Sequence, residues 1–207
     1  MRALNKNSQQ QQYYCSYCEQ YIGNNGVKEH YRPKSIYPWL ADNPDNILIS
    51  CQKCNNHKKD KFAIGKPIYE GNKAEMNPEQ LDEIEAPLLI NPKNKTQDFF
   101  TKYLIFNLDA TIHSDDLRLH YTIGCCKLND KSLIDLRIKA LNKLFNEELL
   151  KIKTSFKKHK DVNRCENDRK KLLSSILRQI KNSSIEFSAM FRYIVNHRDL
   201  LFDKLKC

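Results

Sequence analysis

Long apolar runs are missing from this sequence. No stretch approaches the roughly 18 apolar residues that a transmembrane helix needs, and the first twelve residues are polar, without the apolar core of a secretory signal. We therefore expect a soluble, cytoplasmic protein without a membrane partner. Internal repeats are also missing, and the low-complexity sequence is confined to the glutamines at 9–12. A chain of 207 residues is long enough for one domain, or for a small module with a helical companion.

Acidic residues are too few to balance the basic ones. The chain has 35 Lys and Arg against 25 Asp and Glu, a net charge of +10. Residues 151–182 hold 11 of the basic and 3 of the acidic residues, an excess of +8. This excess favours a polyanionic partner such as nucleic acid. An acidic protein surface or a solvated helix face would explain it equally well, and the composition leaves the three open.

Eight cysteines are present, and without a secretory signal disulfides are not the expected use of them. Four form two C-x2-C pairs, Cys15 with Cys18 and Cys51 with Cys54, separated by 32 residues. Two such pairs can close a tetrahedral Zn²⁺ site with four thiolates, which leaves no open position and makes the metal structural. The remaining four show no such spacing and are expected to be buried or incidental thiols: Cys125, Cys126, Cys165 and Cys207.

The hydrophobic pattern changes along the chain. Short apolar segments at 26–30, 46–50 and 88–90 predict strands, and 103–106 with 117–123 predict a hairpin or small sheet. From residue 131 apolar residues recur at helical spacing, which predicts one long helix and two further amphipathic helices divided at 182–184, where serine can cap the second. We therefore predict an α+β fold with a zinc-bound module at 13–67, a connector with short strands packed on it at 68–130, and a helical region at 131–207.

Residues suited to phosphodiester hydrolysis lie between and beside the cysteine pairs. Hydrolysis requires a base for the attacking water and a cation that neutralises charge on the phosphate. The sequence offers an acid–histidine pair, an asparagine before the second cysteine pair, and a C-x2-C-N-x2-K motif: Glu29, His30, Asn46, Asn55 and Lys58. A neutral imidazole can accept a proton near physiological pH. If a helix begins at the second pair, Lys58 shares a face with Asn55 and can contact phosphate.

This constellation resembles the signature of the HNH (ββα-metal) endonucleases. The resemblance implies a zinc-stapled ββα-metal module in which His30 is the general base. It also implies that Asn46 fixes the loop and the orientation of His30, and that Glu29 and Asn55 bind Mg²⁺ or Mn²⁺. The family commonly has Asp where Glu29 stands and often His where Asn55 stands. Neighbouring strand residues point to opposite faces, so Glu29 and His30 converge only if the strand ends or twists there.

Further stretches resemble one branch of these nucleases. They are Lys59–Phe62, Glu85–Pro92 and Leu128-Asn129 followed by Leu133 and Arg137. These resemble the PtuB nuclease subunits of Septu anti-phage systems and their retron-associated relatives, over roughly residues 13–144. The resemblance implies an ATPase partner of the ABC or SMC type (PtuA-like), in some systems together with a reverse transcriptase and its RNA–DNA hybrid.

Alternative functions remain at this stage. DNA is the favoured substrate, but an effector that cleaves RNA or tRNA would carry the same motif, because the site reads phosphate and metal. A non-catalytic zinc module for nucleic-acid binding or assembly would not need Glu29, His30 and Asn55, all of which are present. A redox protein that uses its C-x2-C pairs would need a βαβ context that is not evident. His57 is a reserve candidate because it lies close to Asn55.

Overall fold

Short antiparallel strand pairs and helices make up this protein in the computed structural model, which describes residues 14–72, 76–94, 97–107, 109–159, 162–181 and 186–197. The predicted mixture of helix and strand is confirmed. The elements are β1 (Val27–His30), β2 (Ile47–Ser50), α1 (Gln52–Lys58), α2 (Pro78–Glu85), α3 (Gln97–Tyr103), β3 (Ile105–Phe106), β4 (Ile112–His113), α4 (Leu117–Cys125), α5 (Lys131–His159), α6 (Val162–Lys181) and α7 (Ser188–Asn196).

The first two strands and the first helix form a small unit. β1 and β2 pair antiparallel, from Val27 opposite Ser50 to His30 opposite Ile47. Helix α1 follows β2 directly and begins after Cys51, whose Sγ accepts a hydrogen bond from the backbone N–H of Cys54. Both strands lie where the apolar segments at 26–30 and 46–50 predict them. We call β1, β2 and α1, together with the turn Cys15–Cys18 that is hydrogen-bonded to β2, the ββα unit.

The connector contains more helix than its sequence predicts. The prediction of a strand at 88–90 is wrong, because this buried segment is outside the strands and only its neighbour Pro87 forms an isolated bridge, with Ile64. Earlier in the connector, Asn77 and Pro78 start helix α2. Asn77 caps the helix in a reciprocal capping box with Gln80, and Pro78 occupies the first turn, where its missing N–H is no loss.

The small sheet predicted in the connector is only partly present. β3 pairs with β4 over two residues each, which agrees with the strand predicted at 103–106. The strand predicted at 117–123 is wrong, because these residues form most of α4. The carboxylate of Asp116 accepts a hydrogen bond from the N–H of Leu119 at 2.9 Å and so caps this helix.

The predicted helical region is confirmed within the described residues by α5, α6 and α7. The serines at 182–184 that the sequence offers as a cap lie outside the described residues. As described, α7 begins after Phe187, which has a left-handed φ of 52° and makes no side-chain cap. The cap comes instead from a distant residue, Glu19. Its carboxylate accepts hydrogen bonds from the Ala189 N–H at 2.8 Å and the Ser188 hydroxyl at 3.2 Å.

The largest buried cluster draws on all three predicted segments of the chain. It combines the cysteines and Leu48 of the ββα unit with Leu89 and Ile90 of the connector and with Leu133 of α5. A second cluster joins Leu172 and Ile176 of α6 to the start of α7. The segment boundaries at 67 and 130 remain predictions. None of the described helices has the length and apolar character that a membrane crossing requires.

Candidate functional site

Four buried cysteines converge at one point of the ββα unit. The Sγ atoms of Cys15, Cys18, Cys51 and Cys54 all lie within 4.8 Å of one another, and Cys18 and Cys51 are separated by 3.9 Å. Sulfurs bound to one tetrahedral Zn²⁺ at about 2.3 Å are about 3.8 Å apart. The donor set and spacing therefore fit a metal ion such as zinc. Hydrogen bonds among the thiols lower the pKa of Cys51 and raise the pKa of Cys18 and Cys54, so without a metal the four thiols share their protons.

Strand β2 holds both cysteine pairs in place. The second pair follows its end and opens α1. The first pair is tied to the same strand by Ser16, whose N–H and hydroxyl both donate to the carbonyl of Ile49, at 2.9 and 2.7 Å. The turn between Cys15 and Cys18 ends at Glu19, which adopts a left-handed φ of 61°. A short strand thus brings together cysteines that are 32 residues apart in the sequence.

Glu29 and Lys58 form a buried ion pair beside this centre. Glu29 is 3% exposed and Lys58 is 0% exposed. The Lys58 ammonium donates to Glu29 Oε1 and to the carbonyl of His30, both at 2.6 Å, and to the carbonyl of Lys59 at 3.2 Å. Burial raises the pKa of Glu29 above its ordinary value, and the Lys58 ammonium offsets only part of that increase.

The position of Lys58 differs from the expectation that it contacts phosphate. An ammonium group has three donors, and here all three are directed into the protein. The predicted helix does begin at the second cysteine pair, but Lys58 lies on its buried side. Lys58 therefore joins the last turn of α1 to the end of β1.

His30 is half-buried and its ring is held by the loop between the strands. Its Nε2 atom lies 2.9 Å from the carbonyl oxygen of Ala41. A carbonyl oxygen only accepts hydrogen bonds, so Nε2 carries the proton in this contact. In the neutral ring Nδ1 is then the basic nitrogen. The predicted alternation is also visible, since Glu29 points into the core and His30 is more exposed.

Asn46 is fully buried and binds the same loop at two places. Its side-chain amide donates to the carbonyls of Arg32 at 3.0 Å and Leu40 at 3.1 Å, and its Oδ1 accepts from the Arg32 N–H at 2.8 Å. Leu40 directly precedes Ala41, the residue whose carbonyl contacts His30. Asn46 thus connects the chain that follows His30 with the chain that supplies its hydrogen-bond acceptor.

Asn55 and His57 lie on α1 and are both half-buried. The backbone N–H of Asn55 donates to Cys51 and its carbonyl accepts from Lys59, so the residue is fixed within the helix next to the cysteine centre. Lys58 thus contacts the Glu29 carboxylate and the backbone carbonyl of His30, whereas the Glu29 side chain is buried and that of His30 is half-buried. Asn46 is hydrogen-bonded to Arg32 and Leu40 of the loop, and Asn55 lies about one helical turn before Lys58.

Sequence reasoning missed an ion-pair network around Arg32, two residues after His30. The guanidinium of Arg32 is 0% exposed and donates to Glu85 Oε2 and, at 2.8 Å, to Asp82 Oδ1. It lies 4.8 Å from the Tyr37 ring centroid and 4.9 Å from that of Phe62. The two carboxylates belong to α2, about 50 residues along the chain. No local spacing signals such a contact.

The geometry defines a module in which four buried cysteines could hold a metal ion such as zinc, with a carboxylate and a histidine at the end of its first strand. In sequence, the chain is similar to the Septu protein PtuB of Bacillus mycoides (strain KBAB4), with 38% identity over 94 residues. This match covers 38% of the chain and 30% of the length of that relative. No family model and no solved structure matches the chain.

Proposed function

We propose that this chain is a metal-dependent HNH endonuclease that serves as the effector nuclease of a Septu-like anti-phage system. The observation that carries the proposal is the setting of His30, a half-buried histidine whose ring is fixed by the Ala41 carbonyl within a cysteine-held ββα unit. The similarity to Septu protein PtuB supports the defence role. Phosphodiester bonds of nucleic acid are the proposed target, with DNA as the favoured substrate.

His30 is the general base in this proposal. Because its Nε2 is bonded to Ala41, its Nδ1 can accept a proton from the attacking water. Asn46 acts as a positioning residue, since it holds Leu40 and with it the neighbouring Ala41 carbonyl. Loss of either contact would let the imidazole rotate and lower the population with Nδ1 correctly placed.

Glu29 and Asn55 are the proposed ligands of a catalytic Mg²⁺ or Mn²⁺. Carboxylate and amide oxygens are the donors that these hard cations prefer. When bound, such a cation neutralises charge on the phosphate and on the leaving oxygen. Lys58 binds Glu29 through one oxygen, Oε1, and holds the adjacent His30 backbone. In this role Lys58 orients the acid–histidine pair and does not contact phosphate.

The proposed partner is an ATPase subunit of the ABC or SMC type, the PtuA-like component of a Septu system. The similarity to PtuB is what supports it, and a retron reverse transcriptase with its RNA–DNA hybrid is an additional partner implied by the resemblance. The proposed site of action is the cytoplasm.

The test is a comparison of His30→Ala with His120→Ala, which changes an exposed histidine of α4. Each variant is co-expressed with the proposed PtuA-like ATPase and assayed for DNA and tRNA cleavage in Mg²⁺. We expect His30→Ala to keep its fold and zinc and to cut about 10²–10⁴-fold more slowly, whereas His120→Ala cuts normally.

Each other outcome has a distinct meaning. Cleavage of tRNA alone, lost in His30→Ala, would keep the mechanism and replace the favoured substrate. Equal behaviour of wild type and His30→Ala would overturn the nuclease proposal and leave a zinc-bound binding module.

A further inference from the structure

Helix α6 exposes a basic face that the proposed hydrolytic site does not use. The residues concerned lie together along one side of the helix: Asn167, Lys170, Lys171, Ser174, Ser175 and Arg178. They recur every three or four residues, which places them on one side of an α-helix. From 167 to 178 the helix rises about 16 Å, the length of about five nucleotides along one strand of B-DNA.

The chemistry of this face suits an anion. Two ammonium groups, a guanidinium, an amide and two hydroxyls line it. The ammonium, guanidinium and amide groups can donate hydrogen bonds to phosphate oxygens, whereas the Ser174 hydroxyl donates to the carbonyl of Lys170 at 2.9 Å. Residues 169–181 contain five Lys and Arg and no Asp or Glu. Two acids lie near the start of α6: Glu166, four residues before Lys170, and Asp168, whose carboxylate is 3.6 Å from the Lys171 ammonium. After Asp168 the helix carries charge of one sign only, whereas a helix face that is merely solvated usually mixes both signs at i and i+4 spacing.

The opposite side of α6 packs into the core, so the basic face points to solvent. Leu172 and Ile176 are buried in the second core cluster, against Phe187, Met190 and Phe191. Lys170, Lys171 and Arg178 are exposed. The basic face is therefore presented on an anchored helix, which lowers the entropic cost of arranging its charges for a ligand.

We propose that the basic face of α6 binds the phosphate backbone of duplex DNA, independently of base sequence, and so holds substrate for the proposed nuclease site. The inference rests on the proposed function for its substrate class. It assigns the three cations of this face, which are part of the +8 excess of residues 151–182, to a phosphate contact and not to an acidic protein surface.

Binding is measured on the full chain carrying His30→Ala, so that DNA is not consumed. A fluorescein-labelled duplex of about 20 base pairs, in two unrelated sequences, is titrated at several KCl concentrations and followed by fluorescence anisotropy. The test variant is Lys170→Gln with Lys171→Gln and Arg178→Gln. The matched control removes three exposed lysines of other elements, by Lys66→Gln, Lys131→Gln and Lys139→Gln.

We expect the test variant to lose at least about tenfold in affinity for both sequences. The slope of log K against log salt should fall by about 2.7 relative to the parent, since each lost phosphate contact on duplex DNA removes about 0.9. The control triple should change the slope by much less. Equal binding by the test and control triples would overturn the inference.

A second variant checks the same face without deleting a side-chain contact to the core. Ser174→Glu adds a negative charge within the exposed stripe and should also weaken binding, whereas Asn142→Glu on an exposed position of α5 should not. A test variant that binds DNA normally but fails to co-purify with the ATPase would overturn the inference in favour of a protein contact. Because cleavage is assayed separately with His30 intact, DNA binding through α6 and failure of the nuclease proposal are distinguishable.

Discussion

Lys58 shows how a single side chain organises the candidate site. It is completely buried, and its ammonium binds the Glu29 carboxylate and the backbone carbonyl of His30. A charge removed from water in this way is tolerated only because it is paired and fully hydrogen-bonded. Two consecutive residues of β1, the acid and the histidine, therefore depend on one lysine of α1.

Replacement of Lys58 by Met should destabilise the protein strongly. The change leaves the Glu29 carboxylate buried without its ammonium partner, and loss of one member of a buried ion pair costs about 3–5 kcal/mol. Chemical denaturation followed by circular dichroism measures this loss. The control Lys61→Met, at an exposed position, should stay within about 0.5 kcal/mol of wild type.

The double variant Glu29→Gln with Lys58→Met separates the charge from the packing. It removes the unpaired carboxylate and should recover part of the stability that Lys58→Met loses. A Lys58→Met protein as stable as Lys61→Met would contradict the buried ion pair seen in the structure.

At the scale of the elements, Arg32 joins the end of β1 to helix α2. Its guanidinium binds Glu85 and Asp82, while Glu85 also accepts hydrogen bonds from the Tyr37 hydroxyl at 2.8 Å and the Tyr69 N–H at 2.7 Å. Asn46 binds the backbone of the same arginine. The loop that holds His30 is consequently braced against a helix of the connector.

Arg32→Met should therefore destabilise the protein and disturb the site together. Two buried or half-buried carboxylates lose their cation, for which we expect about 3–5 kcal/mol of lost stability. The measurements are urea unfolding and, if the chain is active, the rate of DNA cleavage relative to Lys34→Met, which changes an exposed lysine two residues away. Equal stability of Arg32→Met and Lys34→Met would refute the bracing role.

For the whole molecule, the cysteine centre and the main core are one structure. The four cysteines belong to the same buried cluster as Leu48, Leu89 and Leu133, which come from the three predicted segments. Glu19, directly after the first cysteine pair, caps α7 near the C-terminal end of the described chain. A disturbance at the four clustered cysteines should thus reach the helical region.

Removal of the metal should unfold the module and lower the stability of the whole chain. Structural zinc supplies roughly 10–16 kcal/mol in small zinc domains, as much as the total stability of a typical protein. We expect one zinc per chain by atomic emission, and a thermal midpoint lowered by about 10 °C or more after chelation or in Cys54→Ser. Cys165→Ser should retain the zinc, and re-addition of Zn²⁺ should restore the chelated protein. An unchanged midpoint after complete chelation would contradict a structural metal.

The sequence by itself determined the features that depend on local spacing. The two cysteine pairs, the strands at 26–30 and 46–50, and the helical region after residue 131 follow from short-range patterns of ligands and apolar residues. The same patterns failed at 88–90 and 117–123, where a short apolar run is compatible with a strand or with another buried structure. Asp116 caps α4, the helix that contains 117–123. Asn77 caps α2, which ends at Glu85, and the run at 88–90 follows it outside any helix or strand.

Only the tertiary structure decided which groups meet across the chain. Lys58 forms an ion pair with Glu29, and the Ala41 carbonyl accepts a hydrogen bond from the His30 ring. Arg32 binds carboxylates of α2, and Glu19 caps α7. Each of these contacts depends on how a loop or helix packs after the local elements have formed. Residue spacing determines which side chains share a face of one element, but the partner of a buried charge is set by whichever distant element covers it.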